Sequence, residues 1–160
     1  MKSKAFGQGS FRTALRHRLS TGHGRLPFRR GGAVLETALV MGVLLMLSLG
    51  TAEYGYFFFV KNILAGAARD GVRAAIPSTA QNSDVTTAIS TAMTAAHIPS
   101  TEYTVTLSPS DISTATQGTA VTVTIACTWG TVGVTPLPTA LGGIATSKQV
   151  VGVAVMRKES

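Results

Sequence analysis

The chain has 160 residues, with 14 Lys and Arg against 7 Asp and Glu, a net charge of +7 at pH 7 and a single cysteine. Eight of the positives (Lys2, Lys4, Arg12, Arg16, Arg18, Arg25, Arg29 and Arg30) lie in residues 1–31, which hold no acid, so the basicity belongs to a leader and not to the body. That leader has no helical periodicity, and Phe6, Phe11 and Phe28 are too scattered for a stacking platform, which excludes an organised nucleic-acid surface; the lone Cys127 excludes an internal disulfide and a cysteine-pair metal site.

The leader meets an apolar run at Arg29-Arg30-Gly31-Gly32-Ala33-Val34-Leu35-Glu36. From Ala33 to Val60 the only charged residues are Glu36 and Glu53. A bilayer core about 30 Å thick needs about 20 mainly apolar helical residues, so this stretch is long enough to span. Glu36 and Glu53 are separated by about 25 Å at about 1.5 Å per residue, which puts the two carboxyls near opposite edges of the core. Eight positives before the span against Lys61, Arg69 and Arg73 after it predict a cytoplasmic N-terminus and an exported C-terminal part. Tyr54, Tyr56 and Phe57-Phe58-Phe59 are expected at the far interface, with the span running to about residue 60. A secretory signal peptide fits less well, because the apolar run outlasts an h-region of about 7–15 residues. The basic flank argues against a buried core helix of a soluble protein.

Helical spacing continues through Val60, Ile63, Leu64, Ala67, Ala68, Val72, Ala75 and Ile76, with Lys61, Asn62, Arg69, Asp70 and Arg73 on other faces. Pro77 ends it, since the residue before proline avoids the helical region. One helix is therefore predicted over residues 32–76, membrane-embedded in its first part and amphipathic in its second. Ala67, Gly71 and Ala75 form a small-residue stripe that permits close approach of another backbone.

Residues 77–160 read as an exported head. Ser83 is placed to cap a short helix with Val85, Ile89, Met93 and Ala96 on one face, ended near His97 by Pro99. Tyr103, Val105 and Leu107 alternate with polar residues, as do Val121, Val123, Ile125, Cys127 and Trp129, giving two half-buried strands. Val150, Val151, Val153 and Val155 suggest a third. The Gly-, Pro- and Thr-rich segment from Gly130 to Ser147 reads as a long connection with one helical turn near Leu141. The fold class is α+β: a long N-terminal helix followed by a small head with a short antiparallel sheet. A module of this size has little core of its own, so docking onto the helix is expected.

Catalytic chemistry has little to stand on. No nucleophile-elbow, phosphate-loop, zinc-ligand or dinucleotide fingerprint occurs, so no cofactor is expected. Cys127, in an alternating strand, reads as a small buried apolar residue, and His97 beside a helix end as a surface or capping one. Asp84, Glu102 and Asp111 each sit among turn or capping residues.

Several segments together resemble the TadE-like family, the minor pseudopilins of the Flp/Tad branch of type IV pilus systems. They are RRGGAVLE over residues 29–36, the apolar span, Gly50-x-x-Glu53-Tyr54-Gly55, Ala67-Ala68-Arg69-x-Gly71-x-Arg73-Ala74-Ala75, and the Val-rich stretch running into Met156-Arg157-Lys158-Glu159. The resemblance implies cleavage by a membrane aspartyl prepilin peptidase between Gly31 and Gly32, making Glu36 the fifth mature residue. The family usually has a large residue after that glutamate, whereas here it is Thr37. Gly31 offers a peptidase an unhindered backbone, and a cut there removes every leader positive and creates an ammonium at Gly32. In an assembled bundle, Glu36 of one subunit can pair with that ammonium on a neighbour. For Glu53 two readings stay open: a bond to another pseudopilin or to the assembly platform, and a carboxyl simply reaching the headgroups.

The expected role is a structural, non-enzymatic assembly component in a bacterial inner membrane. Its expected partners are the prepilin peptidase, other pilins and pseudopilins, the inner-membrane assembly platform and membrane lipid. An uncleaved single-pass anchor displaying an extracytoplasmic binding or sensor domain is the alternative. A membrane-tethered hydrolase would need a cluster of polar groups in the head that the sequence does not predict.

Overall fold

The computed structural model describes residues 29–134 and 137–159, with side chains from Gly31 onward. The leader, expected over residues 1–31, lies outside the described residues up to Phe28. Helix α1 runs from Arg29 to Ala74, 46 residues without a break. It begins before the predicted start and stops two residues before Ile76. The Ala75 N–H donates to both Gly71 O and Val72 O (3.2 and 3.1 Å) and Ile76 N–H to Arg73 O (3.4 Å), so the last turn tightens ahead of Pro77.

Helix α2 spans Asn82–Ala95. Its N-cap is Gln81 and not the expected Ser83, because the Asp84 carboxylate reaches back to accept the Gln81 N–H at 2.9 Å. Val85, Ile89 and Met93 form its fully buried face, and Ala96 is half-buried just beyond its end. His97 follows at φ 60° and is exposed.

Strands β1 (Tyr103–Ser108), β2 (Ala120–Thr128) and β3 (Gln149–Arg157) make an antiparallel sheet in the order β1-β2-β3. Val121, Val123, Ile125 and Cys127 line its inner face. Trp129, expected on the strand, is fully buried but opens a one-turn helix α3 (Trp129–Val132). The predicted turn near Leu141 is a 3₁₀ turn over Thr139–Leu141. On β3 the inward positions are Val150, Gly152 and Ala154, whereas Val151, Val153 and Val155 face outward and are exposed. The reason is steric: Gly152 packs on the α1 backbone at Leu64 and Ala65, where a β-carbon would stand 2.6 Å from the Ala65 nitrogen.

The head folds onto the second part of α1. Val60, Leu64, Ala67, Ala68, Val72 and Ala75 form one core with the buried faces of α2 and the sheet. The small stripe at Ala67, Gly71 and Ala75 is therefore used within the chain: a β-carbon on Gly71 would press on Ile89 at 2.7 Å. The C-terminal end is pinned by Glu159 N–H to Ile76 O (3.0 Å) and by buried Lys158, whose ammonium donates to Ile112 O. From Gly31 to Leu49 every residue of α1 is exposed.

Candidate functional site

The residues singled out by sequence fall in two places on α1. Gly31, Gly32 and Glu36 lie within its first turns, in the exposed part. Among the described residues a β-carbon at Gly31 or Gly32 would meet nothing within 4 Å, so packing against them gives no reason for either glycine. Each costs about 1 kcal/mol in a helix relative to alanine. Gly42 and Gly55 are equally open, so openness alone marks nothing; what sets the pair apart is its position between two arginines and a carboxylate.

The exposed part of α1 is long and apolar enough to cross a membrane. It contains one 18-residue window of mean hydropathy 2.1 with none of that window buried by the head. Its hydroxyls bond back into their own helix: Thr37 to Ala33 O, Ser48 to Leu44 O and Thr51 to Leu47 O, each at 2.8 Å. These bonds meet the demand that lipid places on every polar group. Thr37, the departure from the family pattern, is among the hydroxyls satisfied in this way.

Glu53 stands apart from Glu36, about 25 Å further along the helix at about 1.5 Å per residue. It is only 1% exposed, and Ile144 N–H donates to its Oε1 at 2.7 Å. Among the described residues its Oε2 has no partner, and the Trp129 Nε1 is likewise buried and unpaired. One turn on, Phe57 and Tyr56 pack their rings against Trp129 at centroid distances of 5.3 and 5.9 Å. Tyr54 Oη donates to Gly142 O at 3.3 Å. The aromatic cluster expected at a membrane interface is thus divided: Tyr56 and Phe57 serve the head, while Tyr54, Phe58 and Phe59 stay exposed. The head also covers Val60, so the expected span to about residue 60 overlaps the docked head from Glu53 onward.

Sequence reasoning missed Ile144 and Trp129. The Ile144 donor is a backbone amide in an irregular connection, which no side-chain pattern marks. Trp129 was visible only as one more inward residue of a strand.

No group of three or more His, Cys, Asp or Glu gathers among the described residues. Cys127 is buried, and burial pushes its thiol up from its ordinary range, with the Glu102 charge adding to the effect. Asp111 is held below the usual carboxylate range by the hydroxyl and N–H of Ser113 and, more weakly, by Lys158.

The part of the chain that carries Gly32, Glu36 and Glu53 decides the comparison with known proteins. Residues 31–73 match the model of the TadE-like protein family. The TadE-like segment starts at Gly31 and ends one residue before the end of α1, so it is the helix, and the head lies outside the match. The TadE-like family is one of pilus structural and assembly components, and the likeness to it is a likeness of the helix. No curated protein and no solved structure matches the chain.

Proposed function

We propose that the protein is a minor pseudopilin of a Flp/Tad-type pilus, made as a prepilin and cut between Gly31 and Gly32 by a membrane prepilin peptidase. It sits in a bacterial inner membrane as a single span, N-terminus cytoplasmic and head exported, and acts as a structural component of assembly. The observation that carries this reading is the TadE-like match over residues 31–73, which begins at the proposed cut. Supporting it are the open glycine pair, the back-bonded hydroxyls of Thr37, Ser48 and Thr51, and the exposed apolar surface of α1 before Gly50.

Cutting after Gly31 creates an ammonium one helical turn before Glu36. Inside an apolar bundle neither charge is tolerable alone, so Glu36 of one subunit and the Gly32 ammonium of the next satisfy each other and set the axial stagger. Other pilins and pseudopilins, the assembly platform and lipid are the partners this implies. The head, docked through Glu53 and Val60–Ala75, positions a folded unit on that rod.

Intact-mass and N-terminal peptide mass spectrometry, on protein taken from membranes of a host carrying the cognate peptidase, tests the reading. A mature chain beginning at Gly32 supports it. An intact leader under those conditions overturns it in favour of an uncleaved anchor displaying its head.

A further inference from the structure

The connection between α3 and β3 returns down the side of α1 instead of staying with the sheet. Leu137 is buried against Gly50, with its Cδ1 3.5 Å from where a β-carbon on Gly50 would stand. Ile144 is tied to Glu53 and Gly142 to Tyr54. Between these ties the 3₁₀ turn places Leu141, 51% exposed, in a groove whose α1 wall runs from Met46 to Gly55 and whose other wall includes Leu137 and Gly142. Met46 and Leu47 belong to the apolar, exposed part of α1. From Gly130 to Ser147 the sequence contains no charged residue.

We infer that this connection is a second membrane contact: the turn carrying Leu141 inserts into the head-side leaflet beside α1, and phospholipid fills the groove between Leu141 and Met46. The inference rests on α1 spanning a bilayer, and the depth follows from the helix. Residues 31–49, all exposed, cover about 28 Å at about 1.5 Å per residue, close to a whole hydrocarbon core. A core of that thickness ends near Gly50, and Met46 lies about 5 Å inside its boundary. Leu141 lies in the groove whose N-terminal end on α1 is Met46 and Leu47, and that end reaches the depth of about 5–10 Å at which interfacial segments bury their apolar side chains. Tyr54, half-exposed with its hydroxyl satisfied by Gly142, sits at the level where an aromatic ring with a polar tip is favoured. An uncharged connection suits this position, because a Lys or Asp carried there would have to be desolvated.

Spin labels placed in turn at Leu141→Cys, Leu44→Cys and Ser113→Cys of the full chain in phospholipid vesicles test this. Collision with dissolved oxygen and with an aqueous nickel chelate is read at each site. Buried Cys127 stays in place, and a sample without an introduced cysteine measures its background. Leu44 reports on the span itself, and Ser113, exposed in a head loop, reports on water. The expected result is low nickel and high oxygen access at Leu44 and Leu141, with nickel collision at Leu141 at least about threefold below that at Ser113, as befits a site inside the leaflet boundary. Nickel access at Leu141 equal to that at Ser113, with Leu44 protected, overturns the loop contact while leaving the span intact. Nickel access at Leu44 as well overturns the span and the loop contact together. A Leu141 label shielded from both reagents places a protein in the groove and overturns the lipid assignment.

Discussion

The Glu53 carboxylate and the Ile144 backbone N–H, 91 positions apart in sequence, meet at 2.7 Å. This one bond fastens the irregular connection of the head to the long helix at the first residue that the head buries. Removing the acceptor leaves a buried donor without a partner, which costs about 1–3 kcal/mol. Glu53→Ala is therefore expected to lower unfolding stability by about that amount in detergent and to speed hydrogen exchange at Ile144. Glu53→Gln keeps an acceptor oxygen and loses less. Equal stability of the alanine variant and the parent would show that the bond does not hold the connection.

Among the described residues Glu36 has no such partner, and it is exposed. Glu36→Ala is expected to leave the unfolding midpoint of the head unchanged while reducing pilus assembly at least about tenfold, since a bundle must then bury an unpaired ammonium. Pilus yield and head stability measured side by side check this, and normal piliation would remove Glu36 from the assembly site.

Two glycines make a graded pair. Gly152 faces the α1 backbone, which cannot move aside, whereas Gly71 faces the side chain of Ile89, which can turn. Gly152→Ala is expected to destabilise by about 3 kcal/mol or more and Gly71→Ala by about 1–2 kcal/mol, spanning the usual range for overpacking. Denaturant titration gives both values, and the reverse order would contradict the packing of β3 on α1.

Burial raises the Cys127 thiol, with Glu102 adding to it, so the folded state resists ionising this group. The contribution to stability is fully present below the unfolded thiol range and is lost as pH rises through the raised folded value. Alkylation of Cys127 is expected to be slow in the folded protein at mildly alkaline pH and fast after denaturation. Rapid labelling of the folded chain would contradict its burial.

Much of this architecture was legible because the periods were long or clean. Val60 to Ala75 repeats at three and four over several turns, and β2 alternates from Val121 to Cys127, so the buried faces of α1 and β2 follow from spacing alone. Period failed where backbone and burial part company. Trp129 continues the inward alternation, yet its backbone has already turned into α3. The valines of β3 mark a strand but not its inner face: contact with the α1 backbone reserves that face for Gly152 and turns Val151, Val153 and Val155 outward. At the candidate site, Gly31, Gly32 and Glu36 could be read from charge and position. The partner of Glu53 could not, since a main-chain amide has no residue type to betray it.

The chain has a seam at Leu49 and Gly50. From Gly31 to Leu49 every residue is exposed, with Met46 and Leu47 bordering the groove beside the head, and the docked contacts begin at Gly50 and Glu53. The two sides answer to different solvents, so a substitution among residues 33–48 is judged by whatever surrounds the rod and one in the head by the fold. Variation can therefore accumulate separately on either side of the seam, and a severed chain starting at Gly50 would take the whole of the packed core with it.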